Sequence, residues 1–116
     1  TNDHETWQYL LDQVNKYPSL KLGGPSIRWV NSALKETFQL SKLPSPKIPC
    51  ITFLAEDERI VDPIRVRNRM KVWTNGELNF VPSARHEVLM ENSTIQKNII
   101  RKIVAFFQSN EGLITS

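Results

Sequence analysis

CITFLAEDE, residues 50–58, is the stretch of sequence that decides the fold. Residues 50–55 form a short apolar run without alternation, which is typical of a strand buried on both faces of a parallel sheet. The acidic residues Glu56, Asp57 and Glu58 follow directly. Because catalytic groups gather at the carboxyl ends of parallel strands, the stretch predicts both the sheet and a candidate site beside it.

A helix is predicted directly after this acidic loop. Asp62 supplies an N-cap and Pro63 the first helical residue. Val66, Met70 and Trp73 form its apolar stripe, and Asn75-Gly76 is expected to end it. Basic side chains cover much of the remaining helix face and the loop before it: Arg59, Arg65, Arg67, Arg69 and Lys71.

A second strand and a last helix complete this half of the chain. The strand spans residues 78–81 and leads into a loop, residues 82–87, that contains His86. The helix is expected to begin near Ser93, with Gln96 completing a capping box. Its apolar side is broad, which favours packing against a sheet: Ile95, Ile99, Ile103 and Phe106, widened by Ile100, Val104 and Phe107.

The order strand, helix, strand, helix implies right-handed crossovers in a parallel sheet, and therefore an α/β fold. Two strands are too few for an independent sheet of this kind, so further strands are expected upstream of Thr1. The chain does not begin with methionine, which is compatible with a fragment. We expect an incomplete domain, with residues 45–116 as its C-terminal part.

Two amphipathic helices are predicted before the strand. Asp3 caps the first, and Pro18 ends it. Ser26 caps the second, which follows the turn Leu22-Gly23-Gly24-Pro25. Their apolar positions recur at steps of three and four residues: Trp7, Leu10, Leu11 and Val14, then Ile27, Val30, Leu34 and Phe38. The sequence LPSP, residues 43–46, then breaks the chain.

Bulk composition excludes several classes of protein. A hydrophobic content of 40% and a charged content of 23% are ordinary for a globular domain. No run of residues is long and apolar enough to predict a membrane span, and no secretory leader is visible. The single cysteine, Cys50, excludes an internal disulfide and is expected to be a buried, inert thiol. One cysteine and two separated histidines predict no metal site.

Glu58 and His86 are the candidate catalytic residues. Each follows a predicted strand, and neighbouring parallel strands would bring the two loops together. An acid followed by a histidine is the second half of the Ser…Asp/Glu…His order of α/β-hydrolases. In such a triad the imidazole moves a proton, while the carboxylate fixes its tautomer and stabilises the imidazolium.

Two phrases around these residues resemble a known family. FLAEDERIVDP, residues 53–63, resembles the acid loop of monoacylglycerol-lipase-like α/β-hydrolases, and ARHEVLME, residues 84–91, resembles their histidine loop. LGGPS, residues 22–26, with Trp29-Val30, is similar to the cap region of bacterial lysophospholipases within that group. The resemblance implies that residues 1–44 are cap-region helices.

Carried over to this chain, the family pattern places the triad acid on Glu58 and the histidine on His86. Most relatives have Asp at the acid position, which leaves Asp57 as the fallback acid and Asp62 as a weaker choice. Glu87 and Glu91 are expected to make loop or cap hydrogen bonds, and His4 to be solvated.

The nucleophile is absent from this sequence. The chain has no G-x-S-x-G, and Ser26, although it follows glycines and a proline, opens a helix. The resemblance therefore implies a serine hydrolase of lysophospholipids or monoacylglycerols whose nucleophile and oxyanion hole lie upstream, and an inactive fragment. It requires no cofactor, and it implies a protein in the cytoplasm or on the inner face of the bacterial membrane. The isolated fragment is expected to dimerise or exchange strands.

Three alternatives remain open at this stage. A thioesterase or an epoxide hydrolase would share the fold, and an Asp at the upstream nucleophile position would indicate the epoxide hydrolase. A non-catalytic module would use its basic helix to bind acidic lipid or nucleic acid, although no nucleic-acid motif is present.

The basic face is also compatible with peripheral contact with an anionic membrane, or with simple solvation. Trp7, Leu10, Leu11 and Trp29 would line an acyl-chain pocket or pack the cap helices together.

Overall fold

The structure is a computed structural model that describes residues 1–114, with side chains to residue 111. It contains four α-helices and two strands in these residues. The helices are α1 (His4–Lys16), α2 (Ile27–Lys42), α3 (Pro63–Lys71) and α4 (Ser93–Ile114). The strands are β1 (Cys50–Ala55) and β2 (Gly76–Val81). Short 3₁₀ turns lie at Pro18–Leu20 and Val88–Met90. The architecture is a mixed helix and strand arrangement with a small parallel sheet, which is compatible with part of an α/β fold.

β1 and β2 pair in parallel along their whole length. Cys50 lies opposite Gly76 at one end, and Ala55 lies opposite Val81 at the other. Parallel strands need a crossover connection, and α3 supplies it. The two carboxyl ends therefore finish level with each other. Every polar group that follows either strand emerges at the same edge of the sheet.

The crossover helix α3 begins as the sequence predicts but ends earlier. Asp62 Oδ1 accepts hydrogen bonds from the N–H groups of Ile64 at 2.9 Å and Arg65 at 3.4 Å, and thus caps the helix. The prediction that Asn75-Gly76 ends α3 is wrong, since α3 ends at Lys71 and Trp73 lies beyond it.

Hydrogen bonds to the segment before β1 explain the early end of α3. Trp73 Nε1 donates to the carbonyl of Ile48 at 2.9 Å, and Asn75 Nδ2 donates to that of Lys47 at 2.7 Å. Gly76 instead opens β2, where a Cβ atom would lie 2.8 Å from Met70 Cε and from Trp73 Cβ.

Helix α4 uses a different cap from the predicted one. Asn92 Oδ1 accepts from the N–H groups of Thr94 at 3.1 Å and Ile95 at 3.2 Å, so Asn92 is the capping residue. Ser93 is already helical, and the expected capping box of Ser93 and Gln96 is wrong. Asparagine and serine cap equally well, so the sequence did not distinguish these adjacent candidates.

The core lies between the sheet and α4, at the carboxyl ends of the strands. Its buried members are Ala55, Val81, Ala84 and Ile99. Phe53, Val88, Ile95 and Ile103 pack against it while remaining partly exposed. The other apolar side of α4 stays open, because Ile100, Val104 and Phe107 are each about half exposed. Cys50 is only partly buried, so the expectation of a fully buried thiol is not met.

Helices α1 and α2 contribute nothing to this core. Asp3 and Ser26 cap them as predicted, accepting from the N–H groups of Thr6 at 2.9 Å and Trp29 at 3.2 Å. Neither helix contains a buried residue, and the apolar stripe of each stays substantially exposed. Over residues 1–114, no helix combines the length and apolar character that crossing a membrane requires.

The position of Ile99 generates a test of this core. Ile99 is 3% exposed and belongs to the buried cluster that includes Ala55 and Val81, whereas its neighbour Ile100 is 51% exposed. Ile99→Ala should lower the free energy of unfolding by about 2–5 kcal/mol, because it removes buried methyl groups and leaves a cavity. Ile100→Ala should change it by about 0.5 kcal/mol or less. Urea denaturation of the 116-residue chain measures both, and equal losses would contradict the placement of α4.

Candidate active site

The loops after β1 and β2 are joined to each other by backbone hydrogen bonds. The N–H of Glu56 donates to the carbonyl of Val81 at 3.0 Å, and the N–H of Asp57 donates to that of Ala84 at 3.1 Å. These bonds continue the pairing of the strands beyond the sheet. Glu58 and His86, which come just after the bonded residues, therefore start from neighbouring and well-defined positions.

Glu58 and His86 are in direct contact. Nδ1 of the imidazole lies 2.8 Å from Oε2 of the carboxylate. The Glu58 side chain is only 4% exposed, whereas that of His86 is 38% exposed. Within the described residues, Nε2 of His86 has no hydrogen-bond partner. One ring nitrogen is thus held by a buried acid, and the other is left available on the open side.

The buried carboxylate of Glu58 is held by its own loop. Its Oε1 accepts hydrogen bonds from the N–H groups of Ile60 at 2.7 Å and Val61 at 3.2 Å. Burial raises the pKa of Glu58, but these two N–H groups and His86 stabilise the anion more, so the pKa of the carboxyl lies below its ordinary value. An ionised Glu58 accepts a hydrogen bond from Nδ1–H, which leaves Nε2 as the unprotonated nitrogen of the neutral imidazole.

The other candidate acids are engaged elsewhere. Asp57 Oδ1 accepts from Arg59 Nε at 2.8 Å, and its Oδ2 lies 3.5 Å from Arg85 Nε. The hydrogen bond from Arg59 holds the pKa of Asp57 below its ordinary value. Asp62 caps α3. Of the three acids considered, the structure places only Glu58 against His86.

A second set of contacts supports the histidine loop and was missed from the sequence. Ser83 has a φ of 56°, in the left-handed region that residues other than glycine seldom adopt. Its N–H donates to Glu56 Oε2 at 2.9 Å, and its carbonyl accepts from Asn2 Nδ2 at 3.2 Å. The Pro82-Ser83 turn signal was visible in the sequence, but its distant partners were not.

Two open cavities adjoin the histidine loop. One, of about 530 Å³, is lined by His86, Asp57, Arg59 and Ile60 among others. The other, of about 590 Å³, is lined by α1 residues Trp7 and Leu10 together with Arg85 and Met90. Arg85 lines both, so the cavities are neighbours. Leu11 and Trp29, which were also candidates for an acyl-chain pocket, do not line either one.

A third cavity lies away from these residues. It measures about 180 Å³ and is bounded by β2 and α4, with Phe53, Phe80, Ile95 and Ile99 in its walls. Neither Glu58 nor His86 lines it. Its walls are mostly apolar, with Asn79, Asn98 and Lys102 as their polar members, and because it adjoins neither Glu58 nor His86 it is no part of the candidate active site.

The arginines of the basic face are occupied within the chain. Arg65 Nε lies 3.4 Å from Asp62, and the Arg67 guanidinium lies 5.0 Å from the centre of the Phe80 ring. Arg69 donates to the carbonyl of Leu43 at 2.7 Å and lies over Trp73. These contacts favour a solvated, structural face over a dedicated binding surface. Over residues 1–114, no cluster of His, Cys, Asp or Glu side chains is arranged to hold a metal ion.

Comparison with known proteins identifies a relative. The chain is 32% identical over 98 residues to a protein of Haemophilus influenzae named "Probable lysophospholipase L2". The aligned region covers 83% of this chain and 31% of that protein. No family model and no solved structure matches the chain. The relationship confirms the resemblance to lysophospholipases that the acid and histidine loops indicated, over part of that protein's length.

The environment of Glu58 predicts how stability depends on pH. Because its folded-state pKa lies below the ordinary value of 4.5, its stabilising contribution is present above that value and is lost as the pH falls through the folded-state pKa. Glu58→Gln, which cannot titrate, should flatten the decline of the unfolding free energy as the pH falls below about 4.5.

Urea denaturation across this pH range measures the effect. Part of the decline of the unfolding free energy at low pH should remain in Glu58→Gln. The reason is that the pKa of Asp3 is also lowered by the N–H of Thr6, and that of Asp57 by Arg59. Identical acid dependence in Glu58→Gln and the unchanged chain would contradict the stabilised Glu58 anion.

Proposed function

We propose that this chain supplies the acid, Glu58, and the histidine, His86, of a serine carboxylic ester hydrolase. The observation that carries the proposal is the 2.8 Å contact between His86 Nδ1 and the buried Glu58 carboxylate. The order of the two residues, each after a parallel strand, supports the α/β-hydrolase arrangement. The relative's name supports a hydrolase of lipid esters.

The proposed chemistry assigns each residue one role. His86 Nε2 takes the proton of a serine hydroxyl as the serine attacks the ester carbonyl, and then delivers that proton to the leaving alcohol. Glu58 holds the Nδ1–H tautomer and stabilises the imidazolium that forms between these steps. The serine and the oxyanion hole belong to another part of the protein. No metal or organic cofactor takes part in this scheme.

The proposed substrate is a single-chain lysophospholipid or a monoacylglycerol. Support comes from the relative's name and from the cavity beside α1, where Trp7, Leu10 and Met90 offer apolar surface next to the histidine loop. Arg59 and Arg85 lie at the neighbouring cavity, where a polar head group would sit. We place the protein in the cytoplasm or on the inner face of the bacterial membrane, where such lipids are accessible.

We further propose that the chain is the C-terminal part of a larger domain, with residues 1–44 as cap-region helices and residues 45–116 as the α/β segment. The chain spans only 31% of its relative. The exposed apolar stripes of α1 and α2, and the open side of α4, support additional covering structure. Within the described residues, the outer edge of each strand is unpaired and can accept a further strand.

Substitutions in the full-length protein test the proposed roles. His86→Ala should lower kcat for hydrolysis of a lysophosphatidylcholine by about 10²–10⁴-fold, because the proton carrier is lost. Glu58→Gln should also lower kcat by at least about 10²-fold, through loss of the correct tautomer. Release of free fatty acid measures both rates.

Two matched variants serve as controls for these substitutions. Asp57→Asn should keep kcat within a few-fold, because Asp57 faces Arg59 rather than His86. His4→Ala removes the chain's other histidine, which lines the cavity beside α1 rather than contacting Glu58, and should also keep kcat within a few-fold. A larger loss in Asp57→Asn than in Glu58→Gln would transfer the acid role to Asp57. Turnover of p-nitrophenyl esters by the purified 116-residue chain would refute the absence of a nucleophile.

The free edges and exposed apolar faces predict self-association of the isolated chain. The 116-residue chain should form a homodimer or exchange strands, because pairing covers apolar surface that is otherwise hydrated. Light scattering coupled to size-exclusion chromatography measures the mass. Val104→Lys on the open side of α4 should shift the population toward monomer. A strictly monomeric unchanged chain at high concentration would contradict the prediction.

A further inference from the structure

Glu91 is the most deeply buried charged residue in the described part of the chain. It is 1% exposed, and it lies directly after the 3₁₀ turn Val88–Met90 that follows the histidine loop. A carboxylate is expensive to bury unless its oxygens are hydrogen-bonded, so the partners of Glu91 indicate what it does. The proposed hydrolase mechanism gives it no role.

Both carboxylate oxygens of Glu91 accept hydrogen bonds from backbone N–H groups. The two donors, Asn2 and Arg85, lie far from each other in the sequence. Oε1 accepts from the N–H of Arg85 at 3.0 Å. Oε1 and Oε2 accept from the N–H of Asn2, at 3.0 Å and 2.9 Å. Hydrogen bonds to an ionised acceptor are stronger than neutral ones and are strongly directional. Glu91 therefore fixes backbone rather than a mobile side chain.

One bonded residue directly precedes the candidate histidine, and the other directly precedes the cap of α1. Arg85 directly precedes His86, so the bond to its N–H restrains the backbone from which the imidazole projects. Asn2 directly precedes Asp3, the cap of α1, whose residues Trp7 and Leu10 line the cavity beside the histidine loop. One carboxylate thus anchors the loop of the proton carrier and the start of the helix beside it.

We propose that Glu91 is a positioning residue that sets His86 against Glu58 and holds the start of α1 in register with the histidine loop. The proposal rests on the function proposed above for His86. Glu91 does not move protons itself, because it is buried and both its oxygens are already occupied. It acts through Arg85 on the imidazole, and through Asn2 on α1.

Three substitutions separate the contributions of the Glu91 side chain. Glu91→Leu is similar in size and removes both acceptors. Glu91→Asp keeps the charge but shortens its reach by one methylene. Glu91→Gln keeps Oε1 as an acceptor for the N–H of Arg85 but puts an amide donor at the Oε2 position, 2.9 Å from the N–H of Asn2, so it is the rescue variant for the contact to the histidine loop. Glu36→Leu and Glu36→Gln are matched controls on an exposed glutamate of α2.

The first readout is the tautomer of neutral His86 in the 116-residue chain, measured from its imidazole ¹⁵N chemical shifts. The unchanged chain, the Glu36 controls and Glu91→Gln should favour the Nδ1–H tautomer, because Glu58 accepts from Nδ1. Glu91→Leu and Glu91→Asp should shift the population toward Nε2–H, with helix content unchanged by circular dichroism. If Glu91→Leu does not fold, Glu91→Asp carries the comparison.

The second readout separates kcat from KM in the full-length protein. With a short-chain p-nitrophenyl ester, Glu91→Leu and Glu91→Asp should lower kcat by about 10- to 100-fold at nearly constant KM, as expected for a displaced catalytic group. With a long-chain lysophospholipid, KM should rise as well, because α1 is no longer anchored. Glu91→Gln should recover most of kcat with the short-chain ester, because its oxygen can still accept from the N–H of Arg85.

The two readouts distinguish the failure of this inference from that of the proposed function. The positioning role would be overturned if Glu91→Asp folds, shows the same His86 tautomer as the Glu36 controls, and has a kcat within twofold of theirs. This holds even if the protein is an active hydrolase. The proposed function would be overturned if the full-length protein without substitutions hydrolyses no ester. The tautomer measurement would still report whether Glu91 orients His86.

Discussion

The parallel pairing of β1 and β2 is the constraint on which the rest of the structure depends. Because Ala55 and Val81 lie opposite each other, the acid loop and the histidine loop leave the sheet at the same level. Backbone hydrogen bonds from Glu56 and Asp57 then carry this alignment beyond the strands. A shift of register by one residue would turn the core side chains outward and would separate Glu58 from His86.

The candidate site combines an enclosed carboxylate with a partly exposed imidazole. Glu58 is enclosed by its own loop, and its hydrogen bonds keep the pKa of the carboxyl low despite burial. His86 is partly exposed and presents Nε2 away from that acid. This division suits a proton carrier, which needs one fixed nitrogen and one nitrogen that is open to a reacting group. Glu56 and Glu91 support the histidine loop by accepting hydrogen bonds from its backbone N–H groups, at Ser83 and Arg85 respectively.

Buried residues lie close to the sheet and are absent from the two N-terminal helices. The main core cluster lies at the carboxyl ends of the strands and on one side of α4, and Met70 of α3 is buried beside the start of β2. α1 is nevertheless attached at its start, through Asn2, to the histidine loop. The helix that borders the cavity beside that loop is therefore positioned by a few polar contacts rather than by a hydrophobic interface.

Local sequence rules predicted most elements, because caps, prolines and apolar runs act on the few residues around them. Asp3, Ser26 and Asp62 cap their helices as expected, the residues of β1 match the apolar run, and Glu58 and His86 follow the strands. One error arises where distant groups compete, since Trp73 and Asn75 bond to the segment before β1 and α3 ends early. Another is local, because Asn92 and Ser93 are adjacent and equally good caps for α4. Choosing Glu58 over Asp57, and giving Glu91 its partners across the chain, required the folded arrangement. Those contacts depend on the distance between loops, and spacing along a chain does not encode that distance.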